Sequence, residues 1–197
     1  MSKQKNFLVF IIGSLLLVLT ACGNQSPIKD PLNYEVQSFS YMNQDNESVS
    51  LDELKGTVWV TNFIFTNCET VCPPMTAHMS ELQKRMNDEG VKARIISFSV
   101  DPENDKPEKI KEFTAPYSIS FDNWDFLTGY SQQEIEEFAR KSFKTIVQKP
   151  NNNDQVIHGT SFYLIDQNGV VMKDYNGVEN PPYEQIIQDI EAIQSTN

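Results

Sequence analysis

The sequence predicts an α/β fold, a three-layer sandwich with a mixed central sheet, and three observations predict it. Thr57–Phe65 (TVWVTNFIF) is β-branched and aromatic with no charge, the pattern of a strand buried on both faces. From there, strand-like and helix-like segments alternate, as a parallel sheet requires. Late in the chain, Gln167-Asn168-Gly169 sits between two apolar runs, a hairpin signal that closes the sheet with antiparallel strands. The chain has 197 residues, 39% hydrophobic and 22% charged, which suits one main domain.

In chain order, Glu35–Leu51 reads as a small N-terminal hairpin, with Asn43–Glu47 as its turn. The central strand follows. Pro73–Asn87 is a helix, because Met75, Met79, Leu82 and Met86 recur on one face and Gly90 ends it. Val91–Val100 is the next strand. Glu103–Thr114 is a helix with Ile110 and Phe113 inward and Pro116 beyond its end. Trp124–Leu127 is a short strand. Ser131 and Glu134 form a capping-box pattern that opens a helix to about Phe143. Ser161–Asp166 and Val170–Tyr175 make the late hairpin, and Pro182–Gln194 is the last helix. The order is thioredoxin-like, with an N-terminal hairpin extension and a late antiparallel hairpin insertion.

The first 21 residues read as an address. Lys3 and Lys5 precede Phe7–Leu19, an almost wholly apolar run of 13 residues. A helix needs about 20 apolar residues to span a bilayer, so a signal peptide fits better. Leu19-Thr20-Ala21-Cys22 resembles the bacterial lipobox, which implies a diacylglycerol on the Cys22 thiol and cleavage before it. The alternative is an ordinary secretory signal with an accidental cysteine. Residues 22–33 read as a tether and 34–197 as the domain, which places the domain on the outer face of a bacterial cytoplasmic membrane.

The chain carries 16 Lys and Arg against 27 Asp and Glu, a net charge of −11. That balance argues against nucleic-acid binding, which needs a basic face, and against a domain lying flat on anionic lipid.

Cys68 and Cys72 follow the central strand directly, and Pro73 suits the first turn of a helix. Sites in open α/β sheets form beyond the carboxyl ends of strands. A helix N-terminus there presents free N–H groups that favour thiolate, both nucleophile and metal ligand. The structural alternative is a disulfide, which would close too short a loop to stabilise much. The chain has two histidines. His78 falls on a flank of the helix whose buried face is set by the methionines. His158 lies just before Ser161, in the loop that faces the cysteine pair in thioredoxin-type chains, where no proline occurs from Asn151 to Val170. It could complete a Cys₂His site or be a hydrogen-bonded loop imidazole. Such donors suit copper or zinc rather than calcium or magnesium, and a fourth ligand for structural zinc is not evident. Asp101, at the end of the second strand, could position a ligand or shuttle a proton, or simply form a turn before Pro102.

Taken together, Cys68-Glu-Thr-Val-Cys72-Pro73 after Phe63-Ile-Phe-Thr66, then Ser99-Val-Asp101-Pro-Glu-Asn-Asp105, then His158-Gly-Thr-Ser-Phe-Tyr-Leu-Ile-Asp166 resemble the Sco/SenC family of copper proteins. The resemblance covers residues 34 to 194. One departure is Lys106, where the family often has a threonine. The resemblance implies a thioredoxin-like fold and one copper, Cu(II) or Cu(I), held by Cys68, Cys72 and His158. It implies a metallochaperone role at the CuA centre of cytochrome c oxidase subunit II, in a monomer that draws on a thiol reductant. Two competing readings keep Cys68 and Cys72 as a redox-active pair: a thiol–disulfide oxidoreductase that reduces the CuA cysteines, with Cys68 attacking and Cys72 resolving, or a redox sensor. A peroxide-reducing enzyme on the same scaffold lacks the expected proline before Cys68.

Overall fold

The structure is a computed structural model that describes residues 26–196. The expected signal peptide, Cys22 and the start of the expected tether lie outside the described residues. Within the rest of that tether, Ile28 is buried and the Leu32 N–H donates to the Met172 carbonyl at 3.0 Å, so this stretch lies against the domain.

A six-stranded mixed sheet forms the centre, built from β1 (Tyr34–Glu35), β4 (Trp59–Ile64), β5 (Arg94–Ser99), β6 (Trp124–Leu127), β9 (Ser161–Ile165) and β10 (Val170–Asn176). Their spatial order is β1-β10-β9-β4-β5-β6. β4, β5 and β6 run parallel, while β9 joins β4, and β10 joins β9, antiparallel. All six residues of β4 are buried, as its unbroken apolar pattern requires. α2 (Cys72–Glu89) crosses from β4 to β5, and α3 (Pro107–Thr114) from β5 to β6. α2 buries Met75, Met79, Leu82 and Met86 and contacts α5 (Tyr183–Gln194). Against the sheet, Phe63 and Phe98 pack with Phe39, Phe138 and Phe143 in a connected aromatic cluster.

The sequence reading differs from the structure at several elements. The helix expected from Glu103 begins at Pro107, because residues 102–104 form a turn. The N-terminal hairpin is confined to β2 (Ser40–Met42) and β3 (Ser48–Ser50), while β1 pairs with β10 instead. Leu51 opens a four-residue helix, α1 (Leu51–Leu54), because Ser50 and Glu53 form a reciprocal capping box. The third long helix begins as expected at the Ser131–Glu134 box, but α4 (Gln132–Phe138) passes into a π-helical turn over Ala139–Phe143. The wider turn brings residues five apart onto one side, and Phe138 and Phe143 meet at 5.7 Å between centroids. Finally, β7 (Val147–Gln148) and β8 (Ile157–His158) form a two-residue antiparallel ladder, so His158 belongs to a strand rather than a loop.

Candidate metal centre

The site lies where β4 ends and α2 begins. Cys72 is the first residue of α2, and Pro73 and Pro74 follow it in the first turn. Proline suits that position because its missing N–H would have no partner there. The Cys72 N–H is one of the donors a helix start leaves free, and it donates to Cys68 Sγ at 3.3 Å. Phe65 N–H donates to Cys72 Sγ at 3.5 Å. Phe65 and Cys68 close a turn through Cys68 N–H to Phe65 O at 3.3 Å. Both cysteines are buried free thiols.

β8 supplies the third donor. Val147 pairs with His158, so the ladder sets where the imidazole stands. His158 Nδ1–H donates to the Gly159 carbonyl at 2.8 Å. A carbonyl only accepts, so the proton of the neutral ring sits on Nδ1 and the Nε2 lone pair is free. Nε2 lies 3.4 Å from Cys72 Sγ. The Phe65 ring meets the imidazole edge-on at 5.7 Å. A Cβ at Gly159 would run into the Thr145 hydroxyl, which would have to turn away to admit it. Gln155 Nε2 donates to Asn67 O at 3.1 Å, tying the histidine segment to the cysteine turn.

The donor atoms of Cys68, Cys72 and His158 all lie within 4.8 Å of one another. Two sulfurs and a neutral imidazole nitrogen, converging with no carboxylate among them, fit a soft to borderline metal such as copper. The two thiols differ sharply in acidity. The hydrogen bond from Cys72 holds the Cys68 thiol down to about 3, against the opposing effect of burial. Burial, then the neighbouring Cys68, pushes the Cys72 thiol far up. The pair therefore holds one proton, on Cys72, with Cys68 as thiolate.

The other candidates stand apart from this triad. His78 Nδ1 donates to the Gly177 carbonyl at 3.1 Å and joins α2 to the segment before α5. Asp101 is fully buried and accepts from Lys149 Nζ at 2.6 Å and from Asn104 Nδ2 at 2.8 Å. Its backbone carbonyl accepts the Asn104 and Asp105 N–H groups, which is the turn role foreseen for it. The carboxylate that reaches the cysteine turn is Asp105, bonded to Thr66 and Ser99. Asp105 ends the Ser99–Asp105 motif, but its partner Thr66 is 39 residues away, which spacing does not show.

The SCO1/SenC family profile matches residues 29–195. A SCO1 protein homolog of Bacillus subtilis (strain 168) is 65% identical over 183 residues, covering 93% of this chain and 94% of that one. The crystal structure of a SCO1/SenC family lipoprotein from Bacillus anthracis is 51% identical with a TM-score of 0.82, over 84% of this chain and 98% of that one. Bradyrhizobium japonicum ScoI, solved with copper bound, is 25% identical with a TM-score of 0.66, over 81% and 99%. The Sco family is one of cytochrome c oxidase assembly proteins. Among the described residues, no helix is long and apolar enough to cross a membrane.

Proposed function

On the premise that this chain belongs to the SCO1/SenC family, we propose that it carries copper on Cys68, Cys72 and His158 and passes it to the CuA site of cytochrome c oxidase subunit II. The observation that carries this reading is the convergence of the three donors within 4.8 Å. Copper is cargo here. Cys68 meets it as a thiolate, Cys72 gives its proton to solvent on loading, and His158 offers Nε2 without any change of tautomer. With three protein donors, a coordination position remains for a ligand of the acceptor, so transfer proceeds by exchange of one ligand at a time. Asp101 acts at one remove: through Lys149, the residue after β7, it braces the ladder that presents His158. We assign Cys22 as the lipid attachment site and residues 1–21 as the signal peptide, on the lipobox-like Leu19–Cys22 run. That anchoring would hold the domain on the outer face of the cytoplasmic membrane, where the CuA domain is reached.

The acidity split of the thiols favours a second reading. The Cys68 thiolate attacks a disulfide of the partner and forms a mixed disulfide, releasing one partner thiolate. Cys72 then loses its proton and attacks Cys68 Sγ. The second partner sulfur leaves, two electrons have passed to the partner, and Cys68–Cys72 is left as a disulfide. A thiol reductant must then restore the pair.

Titrating the reduced protein with Cu(II) and with Cu(I) decides between them. The expected result is one equivalent retained, with a thiolate-to-copper charge-transfer band that Cys68→Ser removes and His158→Ala weakens. Wild-type copper retention in His158→Ala would remove His158 from the ligand set. Oxidation of both thiols with no retained copper would leave the oxidoreductase reading in its place.

A further inference from the structure

Asp105 is fully buried, and no cation pairs with it among the ion pairs of the described residues. A buried carboxylate with no cationic partner is costly, and three donated hydrogen bonds from two residues offset that cost here. Thr66 N–H lies 3.1 and 3.3 Å from its two oxygens, Thr66 Oγ1–H donates at 2.6 Å, and Ser99 Oγ–H donates at 2.6 Å. The backbone of Asp105 is itself fixed: its N–H donates to Asp101 O at 2.9 Å and its carbonyl accepts from Thr128 Oγ1 at 2.7 Å.

Thr66 is the second residue of the Phe65–Cys68 turn. Phe65 is held by Cys72 Sγ and Asn67 by Gln155, but Thr66 is held by both its backbone and its side chain and, among the described residues, only by Asp105. A one-ångström displacement of this turn would move Cys68 Sγ relative to both other donors. We infer that Asp105 is the positioning residue of the metal centre, a clamp on Thr66 that fixes the turn presenting Cys68. The inference rests on the copper-carrying reading above for its consequence, but the clamp acts on the thiol pair whether or not copper is the cargo.

The test uses the full-length chain in detergent, with Asp105→Ala, Asp105→Asn and Thr66→Val. Asparagine keeps an acceptor oxygen for Thr66, alanine keeps none, and valine removes one of the two Thr66 donors without changing its shape. After loading with one equivalent of copper, Asp105→Ala should shift the charge-transfer band and lose copper to excess chelator at least tenfold faster. Thr66→Val should lose it severalfold faster, and Asp105→Asn should stay within about threefold of wild type. Wild-type band and rate in Thr66→Val and in a folded Asp105→Ala would overturn the inference. If wild type itself retains no copper, the copper-carrying reading fails, and the thiol–disulfide equilibrium against glutathione decides the clamp. Releasing the turn should move that equilibrium several-fold toward the disulfide in Thr66→Val; no movement would overturn it.

Discussion

Raising the pH from 5 to 7 should stabilise the reduced protein through its thiol pair, and Cys68→Ser should abolish that gain. Cys68 is held down to about 3 from an ordinary value near 9, while Cys72 is pushed up. A depressed group such as Cys68 stabilises the fold above its unfolded value, and that contribution fades as pH falls from about 9 toward 3. A raised group such as Cys72 contributes fully below about 9 and loses its contribution as pH rises beyond it. Between these limits the folded pair holds one proton and the unfolded pair two, so stability rises with pH by about 1.4 kcal/mol per unit. Over two units the gain is about 3 kcal/mol, which moves a urea midpoint by roughly 1 M for a slope of about 2–3 kcal/mol/M. In Cys68→Ser, Cys72 stays protonated in both states and the term vanishes. Urea unfolding under a non-thiol reductant at pH 5 and pH 7 measures it, and other titrating groups cancel in the difference between the two proteins. Equal pH slopes for wild type and Cys68→Ser would refute the shared-proton description.

Three further expectations concern the frame around the site. Gly177→Ala would place a Cβ 2.6 Å from the Thr160 carbonyl oxygen and 2.7 Å from the Phe162 ring, next to β9, and should cost about 1–3 kcal/mol in chemical denaturation. Lys149→Met takes the cation from Asp101, a carboxylate with no exposed surface, while Lys149 itself is partly exposed. The loss should be about 1–3 kcal/mol, with weaker retention of copper because the β7–β8 ladder loses its brace. Free copper at 100 times its Kd should stabilise the reduced protein by about 2.7 kcal/mol. A chelator should reverse that gain, and Cys72→Ser should not show it.

The split acidity also bears on the two functional readings. A thiolate at Cys68 is ready both to capture a soft metal and to attack a disulfide, so reactivity at this residue alone does not separate them. His158 does. Disulfide exchange between Cys68, Cys72 and a partner uses no third donor, whereas copper retention does. The neutral ring, with its proton fixed on Nδ1 by the Gly159 carbonyl, is already arranged for ligation.

Much of this protein was legible in its residues. The uncharged β-branched run at Thr57–Phe65, the methionine face of the helix after it and the Asn168-Gly169 turn each carry a local period or turn chemistry that one strand, helix or hairpin satisfies. The same local logic placed Cys68 and Cys72 at a strand-to-helix junction. Only the tertiary structure decided what the local pattern does not encode. The two-residue β7–β8 ladder is too short to show a period, yet it sets where His158 stands. The π-helical turn at Ala139–Phe143 answers to the aromatic cluster it packs into, not to its own propensity. Asp101 and Asp105 look alike in the sequence, four residues apart on one turn. One faces Lys149, 48 residues away, and the other faces Thr66, 39 residues away. Which thiol keeps the proton likewise follows from the burial of Cys72 and from the hydrogen bond its side chain gives Cys68, and both exist only once the chain has folded.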